Sequence, residues 1–220
     1  MIAPFAQVIQ EAADQLGLEV RNGQAAFELS ASTKLFTAAD KLGRDAAKNV
    51  DEYQEVLAGS RALLTSLSSL LPIEGLMNNY QAAMGKLDDD TVFLVPEIRQ
   101  NVPTLHIALM FGTPQNLKLY LFPQEWYHSI GAVFGLADIQ VGDSNLDPLA
   151  IIRAKDPEEA KILLSKPEVV KALTKLFSDR VLEPVVNDLS VRSLVTRVPK
   201  AEEIVEWVKT MQEVSRALAG

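Results

Sequence analysis

The sequence predicts an α+β fold, an antiparallel sheet flanked by helices, with an N-terminal helical portion. Three observations carry this expectation. Apolar residues alternate with period two through residues 104–122, TLHIALMFGTPQNLKLYLF; they recur every three or four positions in the flanking stretches; and the strand-like runs are grouped by short links. Grouped strands point to antiparallel pairing, because parallel neighbours need long crossovers. The division expected is a mainly helical portion over residues 1–90, including a helical hairpin arm, and a sheet with packed helices over residues 91–220, as two portions or one continuous domain.

Taken in order, Phe5, Val8, Ile9, Ala12, Ala13 and Leu16 form one stripe of a first helix, with Pro4 near its start and Gly17 after it. Arg21, Asn22 and Gly23 suggest a turn, and residues 25–30 a short strand with Phe27 and Leu29 on one face. Residues 33–57 carry a narrow seam, Leu35, Ala39, Leu42, Ala46, Val50, Tyr53 and Leu57, expected as a long helix. A second helix with Leu63, Leu67, Leu70 and Leu71 is expected to stop at Pro72, and a third to cover residues 73–86. Such seams either pair with a partner helix or pack on the chain's own sheet.

Asp88, Asp89 and Asp90 are expected as a solvated turn, since consecutive carboxylates rarely converge on one ion. A strand over residues 91–95 is expected to end at Pro96, with residues 97–103 as a loop. Residues 104–122 then predict one β-hairpin, in which Leu105, Ile107, Leu109, Leu117, Leu119 and Leu121 share a core face. In that register His106 would lie near Phe122 on the opposite face, beside Met110 and Tyr120. Further on come a short helix over residues 124–136, strands over 139–141 and 149–154, and a helix opened by Asp156 as N-cap and Pro157 in the first turn. Pro167 restarts the helical pattern to about Phe177; residues 181–186 and 190–198 suggest a hairpin around Asn187 and Asp188; and Ile204, Val208, Met211, Ser215 and Leu218 stripe a final helix.

Composition narrows the function classes. Hydrophobic residues make up 48% and charged residues 23%, the values of an ordinary globular chain. A formal net charge of -8 opposes nucleic acid or an anionic membrane surface as partner. With no cysteine, disulfides, thiolate metal sites and cysteine nucleophiles are excluded. The N-terminal stretch lacks a basic region followed by a continuous apolar run, and the apolar stretches at 62–77 and 130–137 are too short or too interrupted to span a bilayer. A soluble, cytoplasmic protein without membrane insertion is therefore expected.

Chemical motifs are sparse. Asp143, Asn145 and Asp147 are spaced like the start of a calcium loop, but Pro148 and Ala154 stand where such a loop needs Gly and Glu. There is no nucleophile elbow, dinucleotide fingerprint or phosphate loop. The stretch GDSNLDPLAIIRAKDPEEAKILLSKPEVVKAL, within a similarity spanning residues 104–220, resembles the C-terminal part of certain bacterial proteins of unknown function. In those a Gly-Asp-x-x-Phe-Asp turn precedes a strand and a helix rich in Leu-Leu and Pro-Glu; here Leu146 stands in place of Phe. The resemblance implies that Asp143 and Asp147 fix a turn by accepting backbone hydrogen bonds.

The candidate ligand- or partner-binding residues are His106, Met110, Tyr120 and Phe122 on the second face of the predicted hairpin, with Trp126, Tyr127 and His128 after it. They mix aromatic, sulfur and titratable groups, which suits a ligand pocket or a partner surface. The alternative is a second layer of core. No catalytic set, metal or cofactor is expected. The expected function is a non-catalytic interaction or regulatory module acting through self-association or a protein partner; the alternatives are a small-ligand-binding domain using the aromatic face, or an enzyme of unknown class.

Overall fold

A computed structural model of the chain describes residues 3–23, 25, 26, 29, 81–99, 102–113, 119–124 and 138–220. The expected helices over 33–57 and after Gly59 lie outside these residues, as do most of the helix over 124–136 and the side chains of Trp126, Tyr127 and His128.

The described chain is α+β. Helix α1 (Ala3–Leu16) precedes β1 (Glu19–Asn22), β2 (Gln81–Leu87), β3 (Asp90–Arg99), β4 (Val102–Met110), β5 (Tyr120–Pro123) and β6 (Ala150–Arg153). Helices α2 (Pro157–Leu164) and α3 (Pro167–Ser178), strands β7 (Val185–Asn187) and β8 (Ser190–Val195), and helix α4 (Ala201–Ala219) complete it. The eight strands form one sheet in the order β1-β2-β3-β4-β8-β7-β5-β6, and every pairing is antiparallel.

One face of the sheet is the core. Leu105, Ile107 and Leu109 of β4, Leu121 of β5, Ile152 of β6 and Val191 of β8 are fully buried there with Phe5, Ile9, Leu173, Ile204 and Val208 from α1, α3 and α4. Strands and helices from before and after residue 90 share this single cluster: Phe5 and Ala83 lie in it with Met211. The C-terminal part of α4 is tied down by polar groups as well. Asp88, in a left-handed conformation (φ 56°) at the β2–β3 turn, accepts hydrogen bonds from Gln212 and Arg216, and Asp90 accepts from Ser215 Oγ at 3.0 Å and Gly112 N at 3.0 Å. Asp90 is buried, so the three-aspartate run is not simply a solvated turn: its third carboxylate fastens the sheet to α4. Gly112 is required at that junction, because a Cβ there would lie 2.7 Å from the carbonyl oxygen of Asp89.

Several expectations are corrected. The largest concerns residues 104–122, which do not form a hairpin: β4 pairs with β3 and β8, β5 pairs with β6 and β7, and two strands separate them. The apolar alternation is correct, with Leu119 and Leu121 buried on the core side, but alternation fixes a face and not a neighbour. The true hairpin of β4 is with β3, whose strand continues through Pro96 to Arg99. Pro96 lies past Leu94, where the described register with β2 ends, and a strand tolerates a missing donor at such a place. Residues 97–99 and 102–103 are accordingly strand, not loop.

Gln81–Leu87 is a strand although its Gln, Ala, Met, Lys and Leu are strong helix formers, so the helix expected over 73–86 fails where it can be seen. Pairing on both sides, with β1 and β3, outweighs that weak local preference, and Ala82, Ala83 and Gly85 let neighbours approach closely. The reverse holds after Gly23, where Ala25, Ala26 and Leu29 are helical instead of extended, placing Ala26 and Leu29 together against Ala82 and Val95. The strand in this region is Glu19–Asn22, so Arg21 and Asn22 belong to it and not to a turn. Residues 139–141 run beside β6 without becoming a strand, and β7 begins only at Val185. Helices α2, α3 and α4 follow their sequence stripes, and Asp156 caps α2 by accepting from Glu158 N and Glu159 N.

Candidate functional site on the second face of the sheet

The opposite face of the sheet carries Met84, Phe93, Val95, Glu97, His106, Ala108, Met110, Arg192, Tyr120, Phe122 and Arg153, all alternating with core residues along their strands. His106 sits between Val95 of β3 and Leu194 of β8 in the register, not beside Phe122. Its Nε2 meets Glu97 Oε1 at 2.6 Å, and the side chains are 19% and 9% exposed respectively. The titratable group at the centre of the sheet is thus held against a buried carboxylate one strand away.

Tyr120 and Phe122 form a separate cluster. Their rings lie 5.6 Å apart, Arg153 stacks over Phe122 at 5.5 Å, and Phe122, Ile151 and Val185 are buried together. Three strand spacings, roughly 14 Å, lie between β4 and β5, so the structure splits the candidate residues into two groups, His106 with Met110 and Tyr120 with Phe122. Val95, Ala108, Phe122 and Ile151, spread across this face, are each at most 5% exposed. The second face is therefore covered over much of its extent. Ala26 and Leu29 supply part of that cover at the β2–β3 end.

The partners that matter most here, Glu97 and Arg153, lie outside the candidates the sequence offers. Glu97 was legible in principle, because the alternation of β3 continues past Pro96 as Phe93, Val95 and Glu97. No comparable signal marks Arg153, whose position beside Phe122 depends on strand order.

Asp143 and Asp147 lie in the turn before β6. Asp147 accepts from Val141 N at 3.0 Å and Gly142 N at 2.9 Å, and Asp143 accepts from Asn145 N and Leu146 N, both at 2.9 Å. Leu146 is fully buried beneath them. Their carboxylates are occupied in holding the loop. Nearby, Asp138, Ile139, Gln140, Ala154, Pro157, Glu158 and Lys161 line an open cleft of about 350 Å³. Among the described residues no three histidine or carboxylate groups converge as a metal site, and no helix is long and apolar enough to cross a membrane.

A second polar group joins β8 to the helices. Arg197 binds both carboxylate oxygens of Glu203 and lies 5.7 Å from the ring of Trp207, whose Nε1 donates to Asp179 at 2.8 Å. The Arg197 hydrogen bond, with a second from Lys200 N, lowers the Glu203 pKa to about 2.

No family model matches this chain, and no curated protein matches it. Among solved structures it is similar to the crystal structure of the mycobacterial trehalose monomycolate transport factor A, TtfA. The TM-score is 0.51 over 97% of this chain and 94% of that one, with 10% sequence identity. At that identity the likeness is one of fold.

Proposed function

We propose that this chain is a non-catalytic interaction or regulatory module that acts through self-association or a protein partner. One observation carries the reading: the second face of the sheet, which holds the aromatic and titratable candidates, is covered over much of its extent, and His106 and Phe122 are paired within it. A ligand site on that face needs a cavity among His106, Met110, Tyr120 and Phe122. Instead the face is split into two groups, its histidine sits on Glu97, and its aromatic pair carries Arg153. The same arrangement speaks against His106 as a free general base.

The likeness of fold to a protein described as a transport factor is compatible with a role that transforms no substrate. The acidic net charge supports a protein partner over nucleic acid, and we place the chain in the cytoplasm on composition alone. The resemblance of residues 104–220 to bacterial proteins of unknown function is retained on the same footing.

Size-exclusion chromatography with light scattering, paired with affinity capture from its native extract, tests the proposal. Self-association or a stoichiometric partner is the expected result. A strict monomer without a partner overturns it.

A further inference from the structure

The two ends of the sheet are finished differently, and the difference points to a docking edge. At one end, β6 is sealed: Ile139 N donates to the carbonyl of Ile152 at 2.9 Å, and the Asp138 carboxylate accepts from Ile152 N at 2.9 Å. A carboxylate in place of a backbone carbonyl ends the ladder there.

At the other end, β1 pairs with β2, and among the described residues no strand pairs with its outer side. Backbone groups along a strand point alternately to its two sides, so part of the N–H and C=O groups of Glu19–Asn22 face outward. Val20 lies on the core side and packs against the main cluster. Glu19 and Arg21 lie on the other side, 68% and 37% exposed, joined by an ion pair at 3.4 Å within their own strand.

We propose that the β1 edge docks a second copy of this chain, strand against strand and antiparallel, about a two-fold axis at Val20. The charges select this occupant. In that register Glu19 faces Arg21 of the other copy and Arg21 faces its Glu19, giving two symmetric cross-strand ion pairs. Val20 meets Val20 of the other copy on the core side, which continues the apolar layer. A short, charged edge ordinarily discourages pairing; here the charges complement themselves under two-fold symmetry. This inference rests on the self-association reading and gives it a surface.

The test uses the full chain in sedimentation velocity with light scattering. Wild type is expected to dimerise. Glu19→Arg and Arg21→Glu each place like charges across the axis, and each is expected to weaken the dimer by about tenfold or more. An equimolar mixture of the two single variants is expected to form a heterodimer, because every cross-strand pair is then opposite in sign, and the double variant E19R/R21E is expected to dimerise again. Far-UV circular dichroism of each single variant serves as the control for folding. A dimer indifferent to both substitutions, or single variants that fail to associate with each other, overturns the β1 surface and leaves the interaction reading standing. A wild type monomeric at every attainable concentration overturns self-association as well.

Discussion

The two sides of strand β4 show how one stretch of sequence can be asked for two kinds of order. Leu105, Ile107 and Leu109 point into the helices and are completely buried, whereas His106 and Met110, one residue out of step, are only half buried. On the helix side, stability comes from apolar area removed from water, which is insensitive to direction. On the other side, where Ala108 is buried as well, it depends in addition on particular partners, Glu97 for His106 and, on the same face at β5, Arg153 for Phe122, and such pairs are costly when one member is missing. The comparison teaches that the first side tolerates exchange among apolar residues of similar volume, while the second does not tolerate the loss of a single polar atom in the same way.

The comparison is broken most directly by adjacent truncations. Leu109→Ala is expected to cost about 2–5 kcal/mol in urea unfolding, and Met110→Ala less than half as much, since Met110 is only partly buried. Equal losses would mean that the two sides are packed alike.

The polar side is sharpened by a double-mutant cycle on Glu97→Gln and His106→Ala. Each single change is expected to cost about 1–3 kcal/mol and the pair to show a coupling of about 0.5 kcal/mol or more. Strict additivity would show that the 2.6 Å contact contributes nothing of its own. Asp90→Ala should fall in the same range of about 1–3 kcal/mol, because it leaves the buried Ser215 Oγ, together with the part-buried Gly112 N, without an acceptor. A neutral result in thermal melts would remove Asp90 as the fastening between the sheet and α4.

The smallest effect belongs to the surface. Glu203 has a lower pKa folded, about 2, than unfolded, so the unfolded chain takes up its proton first as pH falls. Its contribution is therefore present above the ordinary carboxylate range and is lost as pH drops toward 2. Solvent exposure of the pair limits that contribution to about 1 kcal/mol or less. Wild type should exceed Glu203→Gln in stability at neutral pH and the two should converge in acid; a constant gap would assign the difference to something other than the carboxylate's charge.

Much of the fold was legible locally. The stripe Phe5, Ile9, Ala12, Ala13 and Leu16 predicts α1, the Asp156-Pro157 start predicts α2, and the alternation in residues 104–122 predicts which side chains are core. Each of these depends on a period or a cap written within a few residues. The candidate site was legible only in part: His106, Met110, Tyr120 and Phe122 share a face as expected, but their separation and their partners were not written in their own segments.

By itself, the sequence determined which stretches are apolar on one side, where most helices begin, and that the sheet is antiparallel. Only the tertiary structure decided that β7 and β8 insert between β4 and β5, that Gln81–Leu87 is a strand, and that Glu97 meets His106. The physical reason is that a strand's hydrogen-bonding edge is the same backbone whatever the residue, so strand order is selected by the packing of the whole sheet under its helices.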